Sequence, residues 1–145
     1  MLVHSSKKLI FLLLACASAT AHAEEVSVDN AKQLAADFFS ACNIDRLVSA
    51  DALDLAHVCG TPSRPIYYVF NAHEGPGYII ISADDCTTPV LGYSLEGRFS
   101  AASMPPAMNW MMHGLESEIK AAPSLQKPVS MAERRKMTRR AAQSS

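Results

Sequence analysis

GYIIISADDCTTPVLGYSLEGRF, residues Gly77–Phe99, decides how this chain is organised. Ile79, Ile80 and Ile81 follow one another with no polar alternation, so both sides of that strand need cover. The run stops at Ala83-Asp84-Asp85-Cys86-Thr87-Thr88-Pro89, where aspartates and a proline favour a corner. Val90–Ser94 then reads as a second short strand. Upstream, Ile66–Asn71 is β-branched and aromatic, and only a Gly/Pro-rich segment, Ala72–Gly77, separates it from Tyr78. Two such runs joined in that way predict a hairpin. Ala52–Val58 alternates apolar and polar residues and predicts a half-buried strand before it. Gly60-Thr61-Pro62-Ser63-Arg64-Pro65 is expected to be irregular, because two prolines and a glycine interrupt a ladder.

A helix is expected on each side of these strands. Ser27 or Asp29 can cap the first turn of a segment over Val28–Ala41, in which Ala31, Leu34, Ala35, Phe38 and Cys42 form one apolar stripe. Pro105-Pro106 opens a second helix over Ala107–Lys120, where Met108, Met111, Met112, Leu115 and Ile119 repeat the pattern and Pro123 ends it. The fold class is therefore α+β: a small antiparallel sheet of three to four strands flanked by an N-terminal and a C-terminal helix.

The two ends of the chain read differently. Lys7, Lys8 and the apolar Leu9–Ala15, too short to span a bilayer, precede Ala21-His22-Ala23, so residues 1–23 are expected to be a signal peptide cut near Ala23. The product would be secreted or periplasmic. Leu13-Leu14-Ala15-Cys16 also approximates a lipoprotein box, but Leu14 fits it poorly, and a lipid anchor on Cys16 is the lesser reading. Glu24–Gln126 holds five basic and 13 acidic residues, whereas Lys127–Ser145 holds six basic and one acidic. Neither half suggests a nucleic-acid-binding domain. The final segment, 123–145, is expected to be a basic, disordered tail, with Arg134-Arg135-Lys136 and Arg139-Arg140 open to trypsin-like cleavage.

Little here suggests catalysis. Asp84-Asp85 is read as turn chemistry before paired acid/base carboxylates, since no second acidic pair or basic partner stands at a telling spacing. His57 and Cys59 share a strand face, but without an orienting third group they are read as packing. Cys42, Cys59 and Cys86 leave an odd thiol whatever pairing they adopt, and their spacing suits no metal site. No phosphate-binding loop, dinucleotide fingerprint or nucleophile elbow occurs, so neither a catalytic residue nor a cofactor is expected.

Tyr67–Asn71, Gly77–Asp85, Pro89–Ser94, Gly97 and Phe99, in that order, resemble the propeptides of streptopain-like, papain-fold cysteine proteases and the small Spi-type inhibitors built from them. The likeness extends over nearly all of Val26–Ala121, including Phe38-Phe39 in the first helix and Glu118-Ile119 at the end of the last. Ala83, usually Gly in that family, and Cys86, where a basic residue is common, depart from the pattern. The resemblance implies an inhibitory domain over 24–122, a streptopain-like cysteine protease as partner, and no peptidase activity of its own. It also implies that the loop before the last helix contacts the protease: Met104, Pro105, Pro106, Ala107, Met108 and Asn109. Where some relatives place a decisive Asn, this chain has Pro106 or Ala107, with Asn109 close by. A free-standing inhibitor and the propeptide of a longer zymogen both satisfy the pattern. The alternative is a secreted or lipid-anchored binding module whose Tyr67, Tyr68, Tyr78 and Tyr93 face a non-protease ligand.

Overall fold

The computed structural model describes residues 26–43, 47–122 and 127–144. The expected signal peptide, Cys16 and Pro123 lie outside the described residues. Helix α1 (Val28–Cys42) is followed by strands β1 (Leu53–Thr61), β2 (Arg64–Ala72), β3 (Tyr78–Ser82) and β4 (Val90–Ser94), then by helices α2 (Pro106–Ala121) and α3 (Met131–Gln143). The four strands form one antiparallel meander in the order β1-β2-β3-β4. This is the expected α+β fold, with one helix more than expected.

The pleat of β3 explains its unbroken isoleucines. Ile79 and Ile81 point into a core shared with Leu34, Ala35 and Phe38 of α1 and with Tyr68 and Phe70 of β2. Ile80 points the other way, joining Tyr67, Val69, Phe99 and Met112 of α2. Successive side chains of a strand take opposite faces, so a sheet with helices on both sides needs apolar residues at every position. Helix α1 starts where Ser27 Oγ accepts the amide of Asn30 at 3.2 Å. It is tied to the sheet by the Val26 amide, which donates to the Ala83 carbonyl at 2.8 Å.

Two expectations need correction. The Gly60–Pro65 segment is not irregular: Gly60 pairs with Pro65 and Thr61 with Arg64, leaving only Pro62-Ser63 as the turn. Gly60 adopts φ 98° beside a register shift, a conformation in which side chains are strained. Pro65 lies beyond the first β2–β3 pair, Tyr67–Ser82, so its missing amide costs that ladder nothing.

The larger correction is at the C-terminal end, where the expected disordered tail holds α3. Ser130 Oγ accepts the amide of Glu133 at 3.3 Å, an N-cap whose S-x-x-E spacing is visible in the sequence. Arg134, Thr138 and Ala142, one turn apart along one face, are all buried. Arg134 is 0% exposed; its guanidinium donates to the carbonyls of Asp84 at 3.0 Å, Thr87 at 3.1 Å and Ser82 at 3.2 Å. Arg135 makes a two-pronged contact with Asp37 of α1, Nε to Oδ2 at 2.6 Å and Nη2 to Oδ1 at 3.0 Å. The Val129 amide donates to the Asp85 carbonyl at 2.9 Å, and Cys42 Sγ reaches the Ala142 carbonyl at 3.9 Å. Helices α1 and α3 therefore run in the same direction, both starting at the Asp84–Thr87 corner. In the folded chain the expected cleavage point at Arg134 is sealed inside.

Candidate functional site

The segment singled out from the sequence is positioned by a buried asparagine. Asn71, on β2, donates from Nδ2 to the Phe99 carbonyl at 2.9 Å and accepts the Phe99 amide on Oδ1 at 2.8 Å. A side-chain amide engaged at both ends holds the chain in one register. Just before it, the Gly77 amide donates to the Gly97 carbonyl at 2.6 Å. Gly77 has φ 118°, and a Cβ there would sit 3.1 Å from both Phe39 Cε1 and the Ser94 carbonyl oxygen. Glycine is thus required at this junction. A short 3-10 turn over Ala101–Ser103 then leads to Met104.

Beyond that point the candidate residues part company. Met104 and Met108 are half-buried against Tyr67, Val69, Ile80, Phe99 and Met112. Pro105, Pro106, Ala107 and Asn109 are exposed. Pro105 stands at the N-cap without a side-chain cap, and its carbonyl accepts the Asn109 amide at 2.9 Å. The methionines therefore seat the segment on the sheet, and the prolines form its tip. Along α2, Met108, Met112, Leu115 and Ile119 face the sheet, spaced by four, three and four residues. Met111 does not belong to that stripe, contrary to expectation: it is 40% exposed. Trp110, which sequence reasoning passed over, is 81% exposed. The available signal was its position two residues from each of the inward-facing Met108 and Met112.

Charge returns only after this tip. Lys120 Nζ lies 2.6 Å from Glu116 Oε1, and His113 Nδ1 lies 3.7 Å from Glu116 Oε2. The hydrogen bond from Lys120 holds the Glu116 carboxyl below its ordinary value.

The other candidates serve the scaffold. Asp84 Oδ1 accepts the Cys86 amide at 2.7 Å, a turn contact, while Arg134 holds the carbonyls on either side. Ligand-type atoms of Asp84, Asp85 and Cys86 lie within 4.8 Å of one another. Burial, then the neighbouring Asp85, pushes the Cys86 thiol up, so it stays protonated. Burial likewise raises Cys59, which makes it a poor nucleophile. His57 rests against Phe99 and Tyr67, with ring centroids 5.8 and 6.3 Å away. Cys42, Cys59 and Cys86 are all thiols.

The tyrosines mostly serve the core as well. Tyr67 and Tyr68 are buried, and the Tyr68 hydroxyl donates to the Val26 carbonyl at 3.0 Å. Tyr78 packs on Phe99 and Tyr93 on Phe38. They do not form the shared aromatic face that a separate ligand site would need. Among the described residues, no helix is long and apolar enough to cross a membrane.

Comparison with known proteins gives the site its context. The model of the family described as Spi protease inhibitor matches residues 23–119. The chain is also similar to the thiol protease/hemagglutinin PrtT of Porphyromonas gingivalis, 33% identical over 113 residues. That alignment covers 76% of this chain but 13% of PrtT, so the chain spans a small part of this relative's length. No solved structure matches. Both likenesses support a role as a protease inhibitor or propeptide.

Proposed function

The chain belongs to the Spi protease inhibitor family, and from that premise we propose that it blocks a streptopain-like cysteine protease by seating the tip at Pro105–Ala107 in the active-site cleft. One observation carries the reading: two adjacent prolines project from a segment pinned by Asn71 at its root and by half-buried Met104 and Met108 along its inner side. A wedge already fixed in shape loses little conformational freedom when it docks. It offers the enzyme backbone flanked by proline, whose ring removes an amide and resists reorganisation in a nucleophile's reach. Asn109 supplies the exposed side-chain amide nearest that tip for polar contacts in the cleft. The protein itself performs no hydrolysis and acts as a regulator. Residues 7–23, with their basic start, apolar centre and small-residue end, support export before this action.

The test is titration of Glu24–Ser145 against the isolated protease domain of PrtT with a peptide substrate. Stoichiometric, substrate-competitive inhibition is expected. Replacing Pro105 and Pro106 together by glycine restores backbone freedom of roughly 1–2 kcal/mol, so potency should fall about tenfold with the fold intact. Potency unchanged by that replacement would move the contact elsewhere, and failure of the unaltered chain to bind would remove the proposal.

A further inference from the structure

We propose that Trp110 is the anchor with which this inhibitor holds its protease, filling an apolar recess on the flank of the cleft that the proline tip enters. The inference rests on the inhibitory reading above and adds a residue that lies outside the expected contact loop. Trp110 is the chain's one tryptophan, and it is 81% exposed on the second turn of α2. Every phenylalanine among the described residues packs into the fold: Phe38, Phe39, Phe70 and Phe99 are buried. An indole left in water forgoes the burial of about 150–250 Å² that such a side chain can supply.

Its surroundings define the kind of partner. Phe99–Leu115 is a run of 17 residues without a single Asp, Glu, Lys or Arg, in a chain that is 19% charged. The uncharged runs on β2 and β3 are largely buried by the pleat; this one, the longest among the described residues, is mostly exposed. Depletion of charge with enrichment in tryptophan and methionine marks the centre of a protein–protein interface rather than a solvated surface. The 40%-exposed Met111 follows Trp110 there. The polar residues His113, Glu116 and Lys120 begin one turn further on, where a polar rim would fall. Trp110 follows Pro106 by four residues, about 6 Å along the helix axis. One rigid body thus presents both the tip and the indole. A tip inside the cleft brings the indole against the cleft's wall, and tryptophan is the residue most often found to dominate such contacts.

The experiment uses Glu24–Ser145 with 5-fluorotryptophan incorporated, so that its ¹⁹F spectrum contains one resonance. The inhibition constant against the PrtT protease domain is measured for the unaltered chain, Trp110→Ala and Trp110→Phe, together with each melting temperature. The expected result is a shifted ¹⁹F resonance on adding protease and a loss of potency of about 30-fold or more for Trp110→Ala. Trp110→Phe should recover part of that potency, and the melting temperatures should stay unchanged. Equal potency of Trp110→Ala and the unaltered chain would overturn the anchor while leaving the inhibitory reading in place. A resonance that moves with inhibitor concentration alone would assign the indole to a second copy of the chain and overturn it too. An unaltered chain that neither binds nor inhibits would instead remove the inhibitory reading, and the anchor with it.

Discussion

The two faces of the sheet are covered by unequal means. On one, α1 buries Ala31, Leu34, Ala35, Ala36, Phe38 and Phe39, and α3 adds Arg134, Thr138 and Ala142. On the other, α2 alone lies over the strands, and Met112 is its one fully buried residue. The first face is fastened by apolar packing and by hydrogen bonds from Arg134 and Arg135. The second rests on four half-buried or buried side chains along one stripe. Stability resides where burial and satisfied polar groups are dense, and parts that must meet a partner come from the sparser end. The densely packed face makes the fold, and the lightly packed one carries the tip.

The sharpest way to break this contrast is at Arg134. Its side chain is buried and supports three carbonyls of the Ser82–Thr87 corner, although its own Nε has no hydrogen-bond partner among the described residues. Arg134→Ala should destabilise the chain by about 3 kcal/mol, because three charge-assisted hydrogen bonds and the packing of a buried side chain are lost. Urea unfolding measures it; a loss within a few tenths of a kcal/mol would show that α3 is not part of the core. Met112→Ala comes next. It should cost about 2 kcal/mol, at the low end for buried methionine, because the surrounding half-buried side chains can close over the gap. The same substitution should speed amide exchange in α2 and leave α1 and α3 unaffected. Loss of protection in α1 would mean that the two faces unfold as one.

The smallest effect belongs to Glu116. Lys120 lowers its folded-state pKa, so the stabilisation is present above the ordinary glutamate value and disappears as pH falls through the folded value. Glu116→Gln should therefore shift the neutral-pH melting temperature by no more than about a degree. The difference between the two proteins should vanish between about pH 5 and 3. A difference that persists at lower pH would point to a contact other than the ion pair.

How much of this could be read in advance follows the same division. Strands β3 and β4 have the bounds that the isoleucine run and the Pro89 corner indicate, and α1 starts at its Ser27 cap. These are local signals, carried by neighbouring residues. Helix α3 was hidden because its inward residues are arginine, threonine and alanine, and an apolar stripe cannot reveal a core position held by a guanidinium. Its local sign is the Ser130-x-x-Glu133 cap, and the expectation of a disordered tail rested on the basic composition alone. The Gly60–Pro65 ladder was missed because a proline is tolerated where no third strand reaches it. At the site, the tip at Pro105-Pro106 was legible from the prolines and the family likeness. Trp110 was not: a helix with apolar residues on both sides of its stripe leaves the outward ones uncounted until the sheet chooses a face.

Hydrogen exchange of Glu24–Ser145, alone and with the PrtT protease domain, tests the contrast and the function together. In the free chain α1 and α3 should exchange slowest and the first turns of α2 fastest. With protease added, new protection should fall on residues 104–113 and nowhere else. Protection appearing on α3, or on the outer edge of β1, while 104–113 stays unchanged would contradict the account.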